Sequence, residues 1–187
     1  MRLPLVLGAA LLAAPLAHAK SATGFVLGIQ GYVVAPFGDR RGSDLGTDFT
    51  PGFGLGIEPG ARIANGHLSL LGFFHWGLVW SNPPPGVATS NFSFGGLALL
   101  RPFSTIAFQP WVGVGLGAES FGGDWAFIFT PQAGVDIRLG LFGIGPYVEI
   151  PLGSYFRAGP PPATGQRGEF HGWFNAGLRI SVAPRGE

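Results

Sequence analysis

Residues 169–182, EFHGWFNAGLRISV, alternate without a break between two kinds of side chain. Phe170, Gly172, Phe174, Ala176, Leu178, Ile180 and Val182 fall on one face. Glu169, His171, Trp173, Asn175, Gly177, Arg179 and Ser181 fall on the other. A period of two is the mark of a β-strand. The apolar face runs on for longer than the roughly 9–11 residues that a strand tilted by about 45° needs to cross a ~30 Å hydrocarbon core. The stretch therefore reads as the closing strand of a membrane β-barrel, with its apolar face outward.

Seven earlier segments, 24–34, 52–63, 67–80, 91–101, 106–119, 125–139 and 144–155, carry the same alternation. In 106–119, for instance, Phe108, Val112, Val114, Leu116 and Ala118 alternate with Gln109, Trp111, Gly113, Gly115, Gly117 and Glu119. The expected fold is all-β, an eight-stranded antiparallel up-and-down transmembrane β-barrel. An even strand number puts both termini on one side. Connection lengths alternate too: 36–50, 81–90 and 156–168 are long, whereas Asn65-Gly66, the turn around Pro102 and 140–143 are short. Only 120–124 is shorter than that alternation asks. Short turns facing the periplasm and long loops facing outward place both termini in the periplasm.

Arg2 followed by the apolar run 3–16 and then Ala17-His18-Ala19 reads as a signal peptide, residues 1–19, cleaved before Lys20 to leave a barrel domain, 20–187. The run is too short for a transmembrane helix, and Pro4 and Pro15 interrupt it. After it no segment is long and apolar enough for a helical span, so a closed barrel is the one way to satisfy every backbone group in lipid. Glycine at 33 residues and charge at only 11% suit curved, lipid-facing strands better than a soluble enzyme. A net charge of +1 gives no reason to expect nucleic acid. No metal-ligand spacing or phosphate loop occurs, and no cofactor is expected.

The charges test the reading. No Asp, Glu, Lys or Arg falls on the outer face of any strand, where Lys or Arg at the bilayer midplane would cost about 2–4 kcal/mol. A soluble barrel would have apolar residues in and charges out. Arg62, Arg101, Arg138 and Arg179 all fall near the periplasmic ends of the four descending strands, as a ring of arginine at the base. Glu58, Asp136 and Glu149 stand above them, and Glu119, Glu169 and His171 form a polar cluster toward the outer mouth. One reading is an ionic network that fills the lumen, since buried charges must be paired. The other is a narrow conduit for small solutes with the arginines as an anion-selective constriction. Inward glycines leave room for it, unless Trp111, Trp173, Tyr32 and Tyr147 take that room. Trp76, Trp80, Trp125, Phe127 and Phe170 cluster toward the outer strand ends on the lipid side, as an interfacial aromatic girdle would. For catalysis the best candidate is His171 with Glu169 and Ser154 or Ser120, but no spacing fixes the serine, and a non-enzymatic barrel is expected.

On this pattern, on segments such as QPWVGVGLG and QAGVDIRL, and on its last strand, the mature chain resembles the small eight-stranded outer-membrane barrels of the OmpX and OmpA transmembrane-domain type. Asn175, Gly177, Ile180 and Val182 match the spacing polar, x, Gly, two residues, apolar, x, apolar that the barrel-assembly machinery reads. The match lacks a terminal aromatic and is followed by 183–187. The resemblance implies the outer membrane of a Gram-negative bacterium, contact with its lipid and lipopolysaccharide, the assembly machinery as a partner during biogenesis, and a monomer. It also implies a structural or surface-interaction role, with a partner at the exposed loops; a pore is the alternative and a lipid A-modifying enzyme a third, less favoured reading.

Overall fold

The structure is a computed structural model that describes residues 24–40, 43–82, 86–103, 106–155 and 170–183. The expected leader, 1–19, and Glu169 and the loop 156–168 lie outside these residues.

β1 (Gly24–Arg40) is hydrogen-bonded to β3 (Phe49–Ile63) on one side and to β10 (Phe170–Val182) on the other, so the sheet closes on itself. Between them run β4 (Leu68–Ser81), β5 (Ala88–Leu100), β6 (Phe108–Phe121) and β7 (Asp124–Leu139), each antiparallel to the one before. β8 (Phe142–Glu149) and β9 (Leu152–Tyr155) share the place between β7 and β10. The result is an up-and-down ring of 8 antiparallel strands. β2 (Ser43–Asp44) is a short ribbon against Asp39 and Arg40, and a one-turn helix, Leu45–Asp48, follows it.

The alternation read from the sequence sets the two sides of the wall. Leu55, Leu116 and Leu178 on the outside are 58%, 56% and 57% exposed, whereas Glu58, Asp136, Glu149 and Arg179 on the inside are 0% exposed. An apolar exterior around a polar interior is the arrangement that hydrocarbon outside the ring would favour, and the reverse of a soluble barrel.

Three boundaries differ from the sequence reading. The expected loop 36–50 is largely ordered: β1 runs on to Arg40, and Pro36, Phe37 and Gly38 pair with Trp173, Gly172 and His171 of β10. Phe37 lies over Gly172, filling the place a side chain would need on that strand. The expected seventh strand is broken at Ile150 and Pro151, because proline offers no N–H to the ladder. The ladder is carried across the break by Ile150 N–H donating to Pro131 O at 3.0 Å and Trp173 N–H donating to Pro151 O at 3.0 Å. Third, residues 120–124 are not a loop but the end of a hairpin, turned by Gly122 and Gly123 at φ 56° and 90°. The hairpin at Asn65 and Gly66 has the expected positive φ values, 54° and 89°, and Ala64 joins them at 51°.

The ends of the ring are thus distinct. A turn end holds both strand termini and the connections after Ile63, Leu100 and Leu139; a loop end holds the one-turn helix and the connections after Ser81 and Tyr155.

Candidate functional site

Among the described residues the lumen is where the fold gathers polar chemistry, and it is filled in two layers. At the turn end Asp136, on β7, is the hub. Its Oδ2 accepts from Arg101 Nη2 at 3.3 Å, Arg179 Nη1 at 3.4 Å and Ser181 Oγ at 3.3 Å, and its Oδ1 accepts from Trp111 Nε1 at 3.1 Å. Arg179 also donates through Nε to Glu58 Oε2 at 2.8 Å, and its guanidinium lies 5.3 Å from the Trp111 ring centroid. Gln30 donates to the other oxygen of Glu58 at 2.7 Å, and Arg101 Nη1 donates to Ser69 Oγ at 2.8 Å. Alternation places all of these on one side of four or more strands, and the tilt of the ring brings strands distant in sequence to one level.

Above this layer His75 stands between two carboxylates, with Nδ1 3.4 Å from Glu149 Oε1 and Nε2 3.9 Å from Glu58 Oε1. Asn175 donates to Glu149 at 2.8 Å. Toward the loop end Glu119 is gripped by His171 Nε2 at 2.8 Å and by the Trp173 indole N–H, 2.8 Å from each carboxylate oxygen. Phe121 stacks edge-on to Trp173 at 4.9 Å and to Phe49 at 5.3 Å, closing the lumen over Glu119. Leu45 of the one-turn helix is fully buried in the same cluster. Asp44 caps that helix through Gly46 N–H at 2.9 Å, and Asn82 N–H donates to Asp48 O at 2.7 Å.

Most of the expected lumen residues come together, with Arg101 and Arg179 on Asp136 and Arg179 also on Glu58. Glu149 is held by His75 and Asn175, not by an arginine. Arg138 is half-buried and reaches the Ala183 carbonyl at 3.5 Å. Arg62 corrects the reading outright: it is buried, yet its Nε and Nη2 have no hydrogen-bond partner among the described residues. Glu58, four residues earlier on the same face of β3, is too far along the strand and is engaged by Arg179 and Gln30. Of the mouth cluster, Glu119 and His171 meet, while Glu169 lies outside the described residues.

Trp125, Phe127 and Phe170 sit exposed on the outer wall near the loop end, and Trp76 and Trp80 pack there against Phe53 at 6.3 Å and 5.8 Å. In the last strand Asn175 points inward and Ile180 outward; a side chain at Gly177 would strike the backbone of Gly31 and Tyr32 on β1.

Both serines considered as nucleophiles are misplaced for His171. Ser154 pairs with Phe127 and Phe170, and Ser120 with Phe92 and Trp125, so both belong to the outer face while the imidazole is inside. The inward glycines do not leave a channel where the rings reach them. A side chain at Gly54 would overlap Tyr32, at Gly134 Trp111, and at Gly153 His171. Ser69, Gln30 and Ser181, inward by parity, join the network without having been named as members of it, and Phe121 is a lumen residue the sequence reading passed over. Phe121 continues the inward parity of Trp111 and Glu119, a signal hidden by treating 120–124 as a loop.

No protein-family model matches the chain, and no curated protein matches it significantly. Solved structures do. The crystal structure of Neisserial surface protein A (NspA) superposes with a TM-score of 0.51 at 14% identity, over 83% of this chain and 96% of that one. The outer membrane protein OprG from Pseudomonas aeruginosa gives 0.53 at 13% identity, over 87% and 96%. The outer membrane enzyme PagL covers 83% and 99% at 15% identity, but its TM-score of 0.41 is too weak a superposition to bear on activity. The chain has the fold of the small eight-stranded outer-membrane β-barrel proteins.

Proposed function

We propose that this chain is a non-enzymatic outer-membrane barrel with a filled lumen and a structural or surface-interaction role carried by its long loops. The observation that carries this reading is the closure of the lumen at the loop end, where Phe49, Phe121 and Trp173 stack above the Glu119 carboxylate. Below it, Asp136 and Glu58 tie Arg101 and Arg179 into one buried network. Side chains held by paired charges and packed rings do not make way for solute without losing those contacts. On this reading the loop end faces outward and both termini are periplasmic. The outward aromatic side chains Trp76, Trp80, Trp125, Phe127 and Phe170 meet lipid and lipopolysaccharide at the interface, and the assembly machinery reads Asn175, Gly177, Ile180 and Val182 before the ring closes. Surface partners meet the loop-end connections, and the folded protein is a monomer.

Single-channel recording of the refolded chain in a planar bilayer, after a heat-modifiability gel has shown folding, tests this. The expected result is a folded, silent barrel. Steady salt-dependent steps whose ion selectivity changes with Arg62→Ala or Arg138→Ala would replace it with the pore reading. Hydrolysis of lipid A that vanishes with His171→Ala would make the chain an enzyme.

A further inference from the structure

We infer that the turn end of the lumen holds an oxyanion-binding site centred on the guanidinium of Arg62. Arg62 is the penultimate residue of β3, inward-facing and 8% exposed, flanked across the sheet by Gly24 of β1 and Ser69 of β4. Its Nε and Nη2 are buried without an acceptor among the described residues. These two nitrogens form the side-on fork of a guanidinium, the edge whose parallel N–H bonds match two oxygens of a carboxylate or phosphate.

The surroundings offer charge of the wrong sign to satisfy it. Among the described residues, Arg101, Arg138 and Arg179 act on Arg62 with like charge and Asp136 with opposite charge. Asp136 is committed, since Oδ2 already faces Arg101, Arg179 and Ser181, and Oδ1 faces Trp111. The Ser69 hydroxyl beside Arg62 receives Arg101. Arg101 adds a second buried donor, its Nε, which also has no acceptor among the described residues. Among the described residues the turn end therefore carries more donor groups than carboxylate oxygens to receive them, and a buried guanidinium left uncompensated is unstable.

There is also room for a ligand on one side. A side chain built at Gly24, the residue paired with Arg62 on the same inner face, would meet no described atom within 4 Å. Elsewhere along β1 the inner face is filled, as at Gly28, where the same test meets Arg179 and Glu58 at 2.8 Å. An oxyanion beside Gly24 would accept the Arg62 fork and lie within the field of Arg101 and Arg138. This inference uses the ring and its inner charges only and is independent of the role proposed for the loops. The oxyanion could be a soluble phosphate or the phosphate of a phospholipid headgroup at the rim.

The test is a titration of the refolded chain in an uncharged sugar detergent, at constant ionic strength, replacing chloride by inorganic phosphate. The urea unfolding midpoint and the 15Nε–H resonance of Arg62 are read together. A saturable rise in midpoint with a matching shift of the Arg62 resonance is expected, and Arg62→Gln should abolish the rise without lowering the midpoint in chloride. Arg62→Lys, which keeps the charge and loses the fork, should weaken the response several-fold. A response to phosphatidylglycerol in the micelle but not to inorganic phosphate would assign the site to a lipid headgroup. An Arg62 resonance unmoved by either, or an equal rise in wild type and Arg62→Gln, would overturn the site. Should Arg62→Gln fail to refold, the resonance of the wild-type chain decides alone.

Discussion

The two halves of the lumen are closed by opposite means. In the turn-end half one carboxylate, Asp136, receives two arginines, an indole and a hydroxyl, and the packing follows the charges. In the loop-end half one carboxylate, Glu119, receives an indole and an imidazole, and three rings and Leu45 supply the bulk. The first half is rich in donors and depends on the presence of its one shared acid. The second is close to balanced and holds by shape. A ring of this size leaves an interior that side chains can just fill, and here polarity does the filling at one end and volume at the other.

The sharpest way to break this contrast is Asp136→Ala. It strips the acceptor from Arg101 and Arg179 at once, and breaking a buried pair from one side costs about 3–5 kcal/mol. Urea unfolding of the refolded barrel, followed by tryptophan fluorescence, should show that loss, and a loss under about 1 kcal/mol would mean the arginines are hydrated. Phe121→Ala tests the other half. Removing a buried aromatic ring costs about 3 kcal/mol where the surroundings cannot collapse, and acrylamide quenching of Trp173 should rise with it. Quenching unchanged would show that Phe121 does not close the mouth. Glu119→Gln is milder, about 1–2 kcal/mol, because an amide oxygen still accepts from the indole N–H while the charge-assisted part is lost. The smallest effect, about 0.5–1 kcal/mol, is expected for Trp125→Leu on the outer wall, where an edge contact with Phe94 at 6.0 Å is lost but the surface stays apolar. The same unfolding curve reads it, and a loss as large as that of Phe121→Ala would place Trp125 in a packed interface.

The faces of the wall were legible in the sequence because parity is a local property: Leu116 and Glu119 are assigned to opposite sides without knowledge of any partner. Strand extents were less so. Pro36 and Gly38 look like loop residues, and only the matching length of β10 keeps that segment in the sheet. Which acid each arginine meets was less legible still. Parity says that Arg62 and Arg179 both point inward, but the level at which each meets the acids depends on the shear of the closed ring. That shear puts Arg179 between Glu58 and Asp136 and leaves Arg62 below both. At the mouth the sequence reading did group His171 with Glu119, and the two meet although they lie 52 residues apart in sequence.

The seam between β1 and β10 has a kinetic meaning. Its register runs from Leu27 opposite Val182 to Gly38 opposite His171, so the contacts that complete the ring join its first and last strands. Contacts of such long sequence separation form slowly, because the entropy of bringing the ends together must be met before the ladder rewards it. Until then, β1 and the most recently formed strand both carry unpaired backbone edges, which in water invite aggregation and in lipid are untenable. Closure is therefore expected to be the late, all-or-none event of folding, with a cut through residues 170–182 blocking it more severely than a cut of equal length in any connection between strands.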